Sequence, residues 1–319
     1  MAQTRVPDQE IWRLIEQYGI AETRRRTGYG ERRLHARRRT LEKKYGRPLR
    51  TPNAHMGVGP LYAREEHPGR INLTIKNGTV LVGGDNHYWP GKPSLMHRAF
   101  VRRCKETKPA AVILNGDVTD LGLLSKHDRI GWEELPEVAD EIEAGKDRLG
   151  EIENAAFRAR KIWTLGNHDA RFNTRLATVA PEYAKLHGTK LRDHFPLWEP
   201  AWRCDINKDI IIKHRGKGGK HSAYNNTLHA GKTMITGHDH CPYVRGITDA
   251  RGTRWAVNHG CIADPDHEAF LNYTEDSPFK DWRAAFVELT FVDGKLLQPE
   301  LWLQWDEDHV QFRGEIIRV

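Results

Sequence analysis

The chain is poor in cysteine, with four in 319 residues, and poor in apolar runs: hydrophobic residues make up 38% and mean hydropathy is −0.70. Cys104, Cys204, Cys241 and Cys261 stand apart without a C-x-x-C pair, which excludes a zinc ribbon and a disulfide framework. No stretch approaches the roughly 18 apolar residues of a membrane span, and Met1 to Glu10 lacks the apolar centre of a secretory signal. A cytoplasmic protein without a membrane partner is therefore expected. The length allows one large domain with a small appendage, or two domains, each able to bury a core.

Charge is abundant but segregated. Residues 1–50 hold 14 Lys and Arg against 6 Asp and Glu, a net +8, within a chain whose total is +7, so the remainder is near neutral at −1. A local basic element points to a polyanionic partner, because each neutralised phosphate releases counterions. Ile11, Leu14, Ile15 and Tyr18 recur at helical spacing, Ile20 to Thr27 forms a second short helix ending at Gly28, and Leu34, Leu41 and Tyr45 share a face of a third, charged stretch. This resembles a small three-helix helix-turn-helix, with Glu31 to Lys44 as the recognition helix and Arg32, Arg33, Arg37, Arg38 and Arg39 as its nucleic-acid contacts, DNA before RNA. A solvated basic hairpin serving as a tail or subunit contact is the alternative. Gly46 to Gly69 carries four prolines and four glycines and reads as a linker. The expected divisions are a basic element at 1–47, a linker at 48–70 and a catalytic domain at 71–319.

From Ile71 onward, short apolar runs each end in metal-ligand residue types. Ile71–Ile75 and Thr79–Val82 flank Asn77-Gly78, a hairpin signal, and the second run leads into Asp85-Asn86-His87. Ala110–Leu114 leads into Gly116-Asp117-Val118-Thr119-Asp120, Ile162–Leu165 into Gly166-Asn167-His168-Asp169, Asp209–Lys213 into His214, and Lys232–Thr236 into Gly237-His238-Asp239-His240. Carboxylates, an amide oxygen and imidazoles at strand ends suit a two-metal centre, in which ions about 3.5 to 4 Å apart clamp the attacking and leaving oxygens of a phosphoryl displacement. A shared carboxylate offsets their mutual repulsion. The donor set favours Mn, Fe, Zn, Co or Ni over Ca or Mg.

These five signatures, in this order, resemble the calcineurin-like metallophosphoesterase family over about residues 71 to 260. The resemblance implies an α/β sandwich: two packed mixed sheets flanked by helices, with a dinuclear site at the strand ends, here preceded by a small all-α element. It further implies two divalent ions, Mn foremost, one held by Asp85, His87 and His240 and the other by Asn167, His214 and His238, with Asp117 bridging. His168 is then the acid that protonates the leaving oxygen, oriented by Asp169, and Asp120 holds a ligand or the His168 ring.

The departures bear on substrate. Protein phosphatases of the family carry Arg after the second Asp of Gly-Asp-x-x-Asp and Glu at the end of Gly-Asn-His-Glu; Leu121 and Asp169 stand there instead, which points to the nuclease and phosphodiesterase branches. Arg171 is placed either to reach a phosphate oxygen or simply to sit on a surface helix. Lys217, in the basic glycine-rich loop after His214, either contacts substrate or is solvated. Tyr88, with Trp89, either stacks on a base or packs in the core. Trp255–Asn258, Ala284–Val292 and Leu296–Trp305 are expected to complete the second sheet, and residues 133–161 to form covering helices. The leading expectation is a dinuclear-metal phosphodiesterase acting on nucleic acid, and a phage or prophage chain would suit that fusion. A phosphoesterase of small nucleotides or monoesters, and a DNA-binding regulator with a vestigial metal site, are the rivals.

Overall fold

The computed structural model describes residues 6–46, 49, 69–126, 134–267, 270 and 281–319. They fall into two units, Met1–Pro68 and Gly69–Val319. The linker expected at 48–70 lies almost wholly outside the described residues.

In the first unit, α1 (Asp8–Thr27) and α2 (Glu31–Tyr45) are joined at Gly28, whose φ of 68° is a left-handed helix end. Gly19, at φ 75° and ψ 177°, breaks α1 internally, so the unit consists of three helical segments. Ile11, Trp12, Ile15, Tyr29, Leu34, Leu41 and Leu49 form its core. Each fully buried aliphatic side chain here contributes roughly 1.5–3 kcal/mol.

The second unit is built on two sheets. The larger runs β15-β14-β13-β11-β2-β3-β4-β5, with β12 also on β11: β2 is Gly78–Gly83, β3 Ala111–Leu114, β4 Arg160–Thr164, β5 Glu199–Ala201, β11 Ala285–Val292, β12 Lys295–Leu296, β13 Glu300–Gln304, β14 His309–Phe312 and β15 Glu315–Arg318. The smaller runs β1-β6-β7-β8-β10-β9: β1 is Ile71–Leu73, β6 Cys204–Ile206, β7 Ile210–Ile212, β8 Thr233–Thr236, β9 Tyr243–Asp249 and β10 Gly252–Asn258. Side chains alternate across the larger sheet with the two-residue period of a strand. Val80, Val82, Ala111, Ile113, Val287 and Leu289 face the smaller sheet and meet Cys204, Ile206, Ile210, Ile212, Ile235 and Val257. Leu81, Val112, Leu114 and Phe286 face the other way, onto α3 (Leu95–Thr107) and α4 (Val138–Ala155). Burial on both faces explains why β3 and β7 read as continuous apolar runs. Next in chain order come α5 (Asp169–Val179), the short α6 (Leu191–His194) and α7 (Ser222–Ala230), which packs on β8 and β10.

Three expectations change. The Asn77-Gly78 turn does not close a hairpin: β1 pairs in parallel with β6 of the smaller sheet, and the turn carries the chain between sheets so that Ile71 and Leu73 fill the space between them. The strands after residue 284 do not complete the second sheet. β11 pairs antiparallel with β2, Val287 opposite Val82, and carries β13 to β15 onto the larger sheet, while only β10 joins the smaller one. The covering helix, expected within residues 133–161, ends at Ala155, and Phe157 just beyond it is 70% exposed.

Candidate metal centre

β2, β3 and β4 are mutually parallel, so their C-terminal ends share one edge of the larger sheet; β7, β8 and β10 are parallel in the smaller. The loops leaving both sets converge. Asp85 Oδ1 lies 3.0 Å from His240 Nε2, Asp85 Oδ2 accepts the His238 backbone N–H at 2.9 Å, and Asp117 Oδ2 lies 3.0 Å from His214 Nε2. Asp85, His87 and His240 offer atoms that one ion can reach together, as do Asp117, His214 and His238. Asn167 Oδ1 is buried without a partner in the loop beside Asp117.

Local backbone geometry explains the motif spelling. Asp85, His87, Asp117, His238 and His240 all have φ between 42° and 74°, left-handed for residues with side chains. Such conformations cost on the order of 1–3 kcal/mol each and concentrate where function over-determines them. Gly116 has φ 85°, and a Cβ on it would sit 2.4 Å from the His214 ring; a Cβ on Gly166 would sit 2.0 Å from Asp117 Oδ1. The glycines beside the ligand-type residues are therefore required by close approach.

The electrostatics are those of a buried, acid-rich cluster. Burial opposes ionisation of Asp85, but His240 and His214 outweigh it and hold the carboxyl below its usual range; His214 and His168 do the same for Asp117. Burial would lower His214, yet Asp117 and Asp85 push it up to about 10. His214 Nδ1 donates to the Asn115 carbonyl at 2.7 Å, which leaves Nε2 facing Asp117. The residues fit divalent ions: buried carboxylates call for compensating positive charge, and His87 Nε2 and Asn167 Oδ1 are buried acceptor-capable atoms without hydrogen-bond partners.

Asp120 and Asp169 orient different groups, and only Asp169 departs from expectation. Asp120 Oδ1 lies 2.9 Å from His87 Nδ1 and 2.8 Å from His168 Nδ1, so one carboxylate orients both rings. Asp169, expected to orient His168, instead accepts the backbone N–H groups of Asp117 and Gly166, each at 2.8 Å, and of Val118 at 2.9 Å, together with the Trp163 indole N–H at 2.9 Å. It ties the β3 and β4 loops together because their N–H groups converge where no strand partner reaches. Burial and the neighbouring Asp117 carboxylate raise it to about 6.

The expected substrate contacts divide. Arg171 donates to the Asp120 carbonyl at 2.9 Å and its Nη2 lies 3.3 Å from His168 Nε2. Tyr88 is no stacking surface: it is 6% exposed and its hydroxyl bonds His97 Nδ1 and Asn86 Nδ2, each at 2.8 Å, because its ring packs in the core beneath α3. Lys217 is exposed, with its ammonium 3.2 Å from His229 Nε2 of α7. In the first unit, Arg32, Arg33 and Arg39 are exposed. Arg37 is held by Asp8 at 2.6 Å and the Val6 carbonyl, and Arg38 by Glu42 and the Leu49 carbonyl, so these two stabilise the unit rather than face outward freely.

One residue escaped the sequence reading. His259, at the end of β10, is fully buried with both ring nitrogens unpartnered, its Nε2 3.8 Å from Asp85 Oδ2. A Cβ on Gly237 would meet that nitrogen at 2.4 Å. Burial lowers it to about 4, so the ring is neutral. The signal was a His directly after the apolar strand Trp255–Asn258, the same cue that singled out His214.

The calcineurin-like phosphoesterase family profile matches residues 78–254, more than half of the chain and all five strand-end loops. The chain belongs to that family. It is accordingly a metal-dependent phosphoesterase, a hydrolase with clusters suited to two divalent ions. No curated protein sequence matches it. Among solved structures, a dimetal phosphatase from Danio rerio is similar with 9% identity and a TM-score of 0.33, over 76% of this chain and 98% of that one. Among the described residues of the phosphoesterase no helix is long and apolar enough to cross a membrane.

Proposed function

We propose that this phosphoesterase is a phosphodiesterase acting on nucleic acid, DNA before RNA, with Asp85, His87 and His240 holding one ion, Asn167, His214 and His238 the other, and Asp117 between them. The ions, Mn foremost, supply Lewis acidity and a nucleophile near neutral pH. The chain's own residues do the rest. Asp120 fixes His168 Nδ1, which leaves Nε2 as the atom that hands a proton to the departing oxygen. Arg171, 3.3 Å from that nitrogen, meets the charge of the phosphoryl oxygens.

The observation that carries the diester and polynucleotide reading is the charge segregation: a net +8 in the first 50 residues, on a chain that is otherwise neutral. Its exposed Arg32, Arg33 and Arg39 tether the polyanion and raise its concentration at the site. The test is hydrolysis of bis(p-nitrophenyl) phosphate and of p-nitrophenyl phosphate by metal-stripped protein with added Mn, beside Asp117→Asn and His168→Ala. Diesterase activity that requires Mn and vanishes in Asp117→Asn is expected; preference for the monoester moves the assignment to small phosphoesters. Removing residues 1–50 should cost activity on polynucleotide in a salt-sensitive way and leave the small diester nearly unchanged.

A further inference from the structure

A cleft of about 540 Å³ opens from Asn167 and runs along one face of α5. Ala170, Arg171, Thr174, Arg175 and Thr178 line it. Their spacing of one and four residues is that of a single helix face. At 1.5 Å per residue this wall is about 12 Å long. Lys126 and Arg215 line it as well. Among the described residues the lining contains no carboxylate and four cationic side chains.

The state of these cations sets them apart. Arg103, Arg160, Arg254 and Arg313, elsewhere on the same unit, are each tied to a carboxylate. Lys126, Arg175 and Arg215 are exposed and have no ion-pair partner among the described residues. Charges of one sign gathered in a concave site without counter-charge focus a field that attracts an anion. A phosphomonoester needs only the metal centre and Arg171. A groove that continues for about 10 Å beyond Arg171, with hydroxyls and guanidinium groups alternating along it, matches a ligand bearing several phosphates in a row.

We propose that this groove binds the backbone of a nucleic-acid strand on one side of the scissile phosphate, with Arg175, Arg215 and Lys126 contacting phosphates next to the one being cleaved. The inference rests on the nucleic-acid reading above and extends it. It names which side of the site the strand leaves by, and it makes Thr174 a hydrogen-bond donor to the same backbone, the Thr178 hydroxyl being given to the Thr174 carbonyl. The contacts are to phosphates, so they position without reading sequence.

The test uses the full chain loaded with Mn and two substrates: a single-stranded thymidine octamer, and bis(p-nitrophenyl) phosphate, which has no neighbouring phosphate. The double variant Arg175→Ala/Arg215→Ala should raise KM for the octamer about tenfold, with kcat and both constants on the small diester within about twofold. The slope of log KM against log salt should fall by about 1.4, since each phosphate contact on a single strand contributes about 0.7. Arg175→Lys/Arg215→Lys should recover most of the loss, because charge rather than fork geometry is at work. An octamer KM unchanged in the alanine variant, or changed equally on both substrates, overturns the groove while leaving the diesterase intact. A parent enzyme that cleaves the small diester but not the octamer overturns the nucleic-acid reading itself, and the groove with it.

Discussion

Removing the Asp169 carboxylate should weaken the fold before it weakens the chemistry. Asp169 is 1% exposed, and its two oxygens take the N–H groups of Asp117, Gly166 and Val118 and the indole of Trp163 at 2.8 to 2.9 Å. Asp169→Ala strands four buried donors. At about 1 kcal/mol each the loss is about 4 kcal/mol. For a domain of this size that is a fall of about 8–16 °C in melting temperature. Asp169→Asn keeps one acceptor oxygen but turns an NH₂ towards N–H groups, so it should fall between the two. The assay is thermal unfolding of metal-stripped protein, followed by the pH dependence of kcat with Mn restored. The folded fraction of Asp169→Asn should keep the parent's profile, whereas Asp120→Asn, which loses the acceptor of His168 Nδ1, should shift one limb. The reasoning is refuted if Asp169→Ala melts within about 2 °C of the parent while kcat collapses, since the carboxylate would then be orienting His168.

Three further outcomes are expected. Gly116→Ala forces a Cβ at φ 85° to within 2.4 Å of the His214 ring, so it should abolish Mn binding by calorimetry even where soluble protein is recovered; tight binding would show that the loops relax freely. His97 is buried and lowered to about 4 by desolvation, so the unfolded chain takes up its proton first and stability drops as pH falls from 6.5 towards 4, by up to about 3 kcal/mol. Urea unfolding at several pH values should show this component missing from His97→Gln; a parallel profile in the variant would exclude it. His259→Gln should weaken Mn binding by about 10–100-fold through loss of the imidazole behind Asp85; affinity within twofold of the parent would mean that His259 only fills space.

The sequence made the site more legible than the sheets. Strand-end loops are written in residues of rare chemistry, and a glycine beside Asp117 or Asn167 has a steric cause that acts within a few residues. Strand pairing has no such local mark. Asn77-Gly78 carries the hairpin signal, but the burial of Ile71 and Leu73 between the sheets outweighs it and sends β1 to β6, 133 residues further on at Ile71 and Cys204. Asp169 shows the same limit from the other side. Its place in the motif was plain, but whether it faces an imidazole or a set of backbone N–H groups depends on how two loops meet. His259 needed the fold, since a lone histidine after a strand is informative only once that strand is seen to end beside Asp85.

The larger sheet supplies Asp85, His87, Asp117 and Asn167, and the smaller supplies His214, His238 and His240. The gap across which any ions are held is therefore a readout of how thick the apolar filling between the sheets is, as the opening of a caliper follows the object in its jaws. Ile113, one residue before the end of β3, and Ile212, the last of β7, belong to the strands that lead to Asp117 and His214, and both sit in that filling. A methylene added or removed there touches no ligand-type residue, yet close-packed interiors transmit such changes as displacement. The chemistry at the edge is gauged by the core.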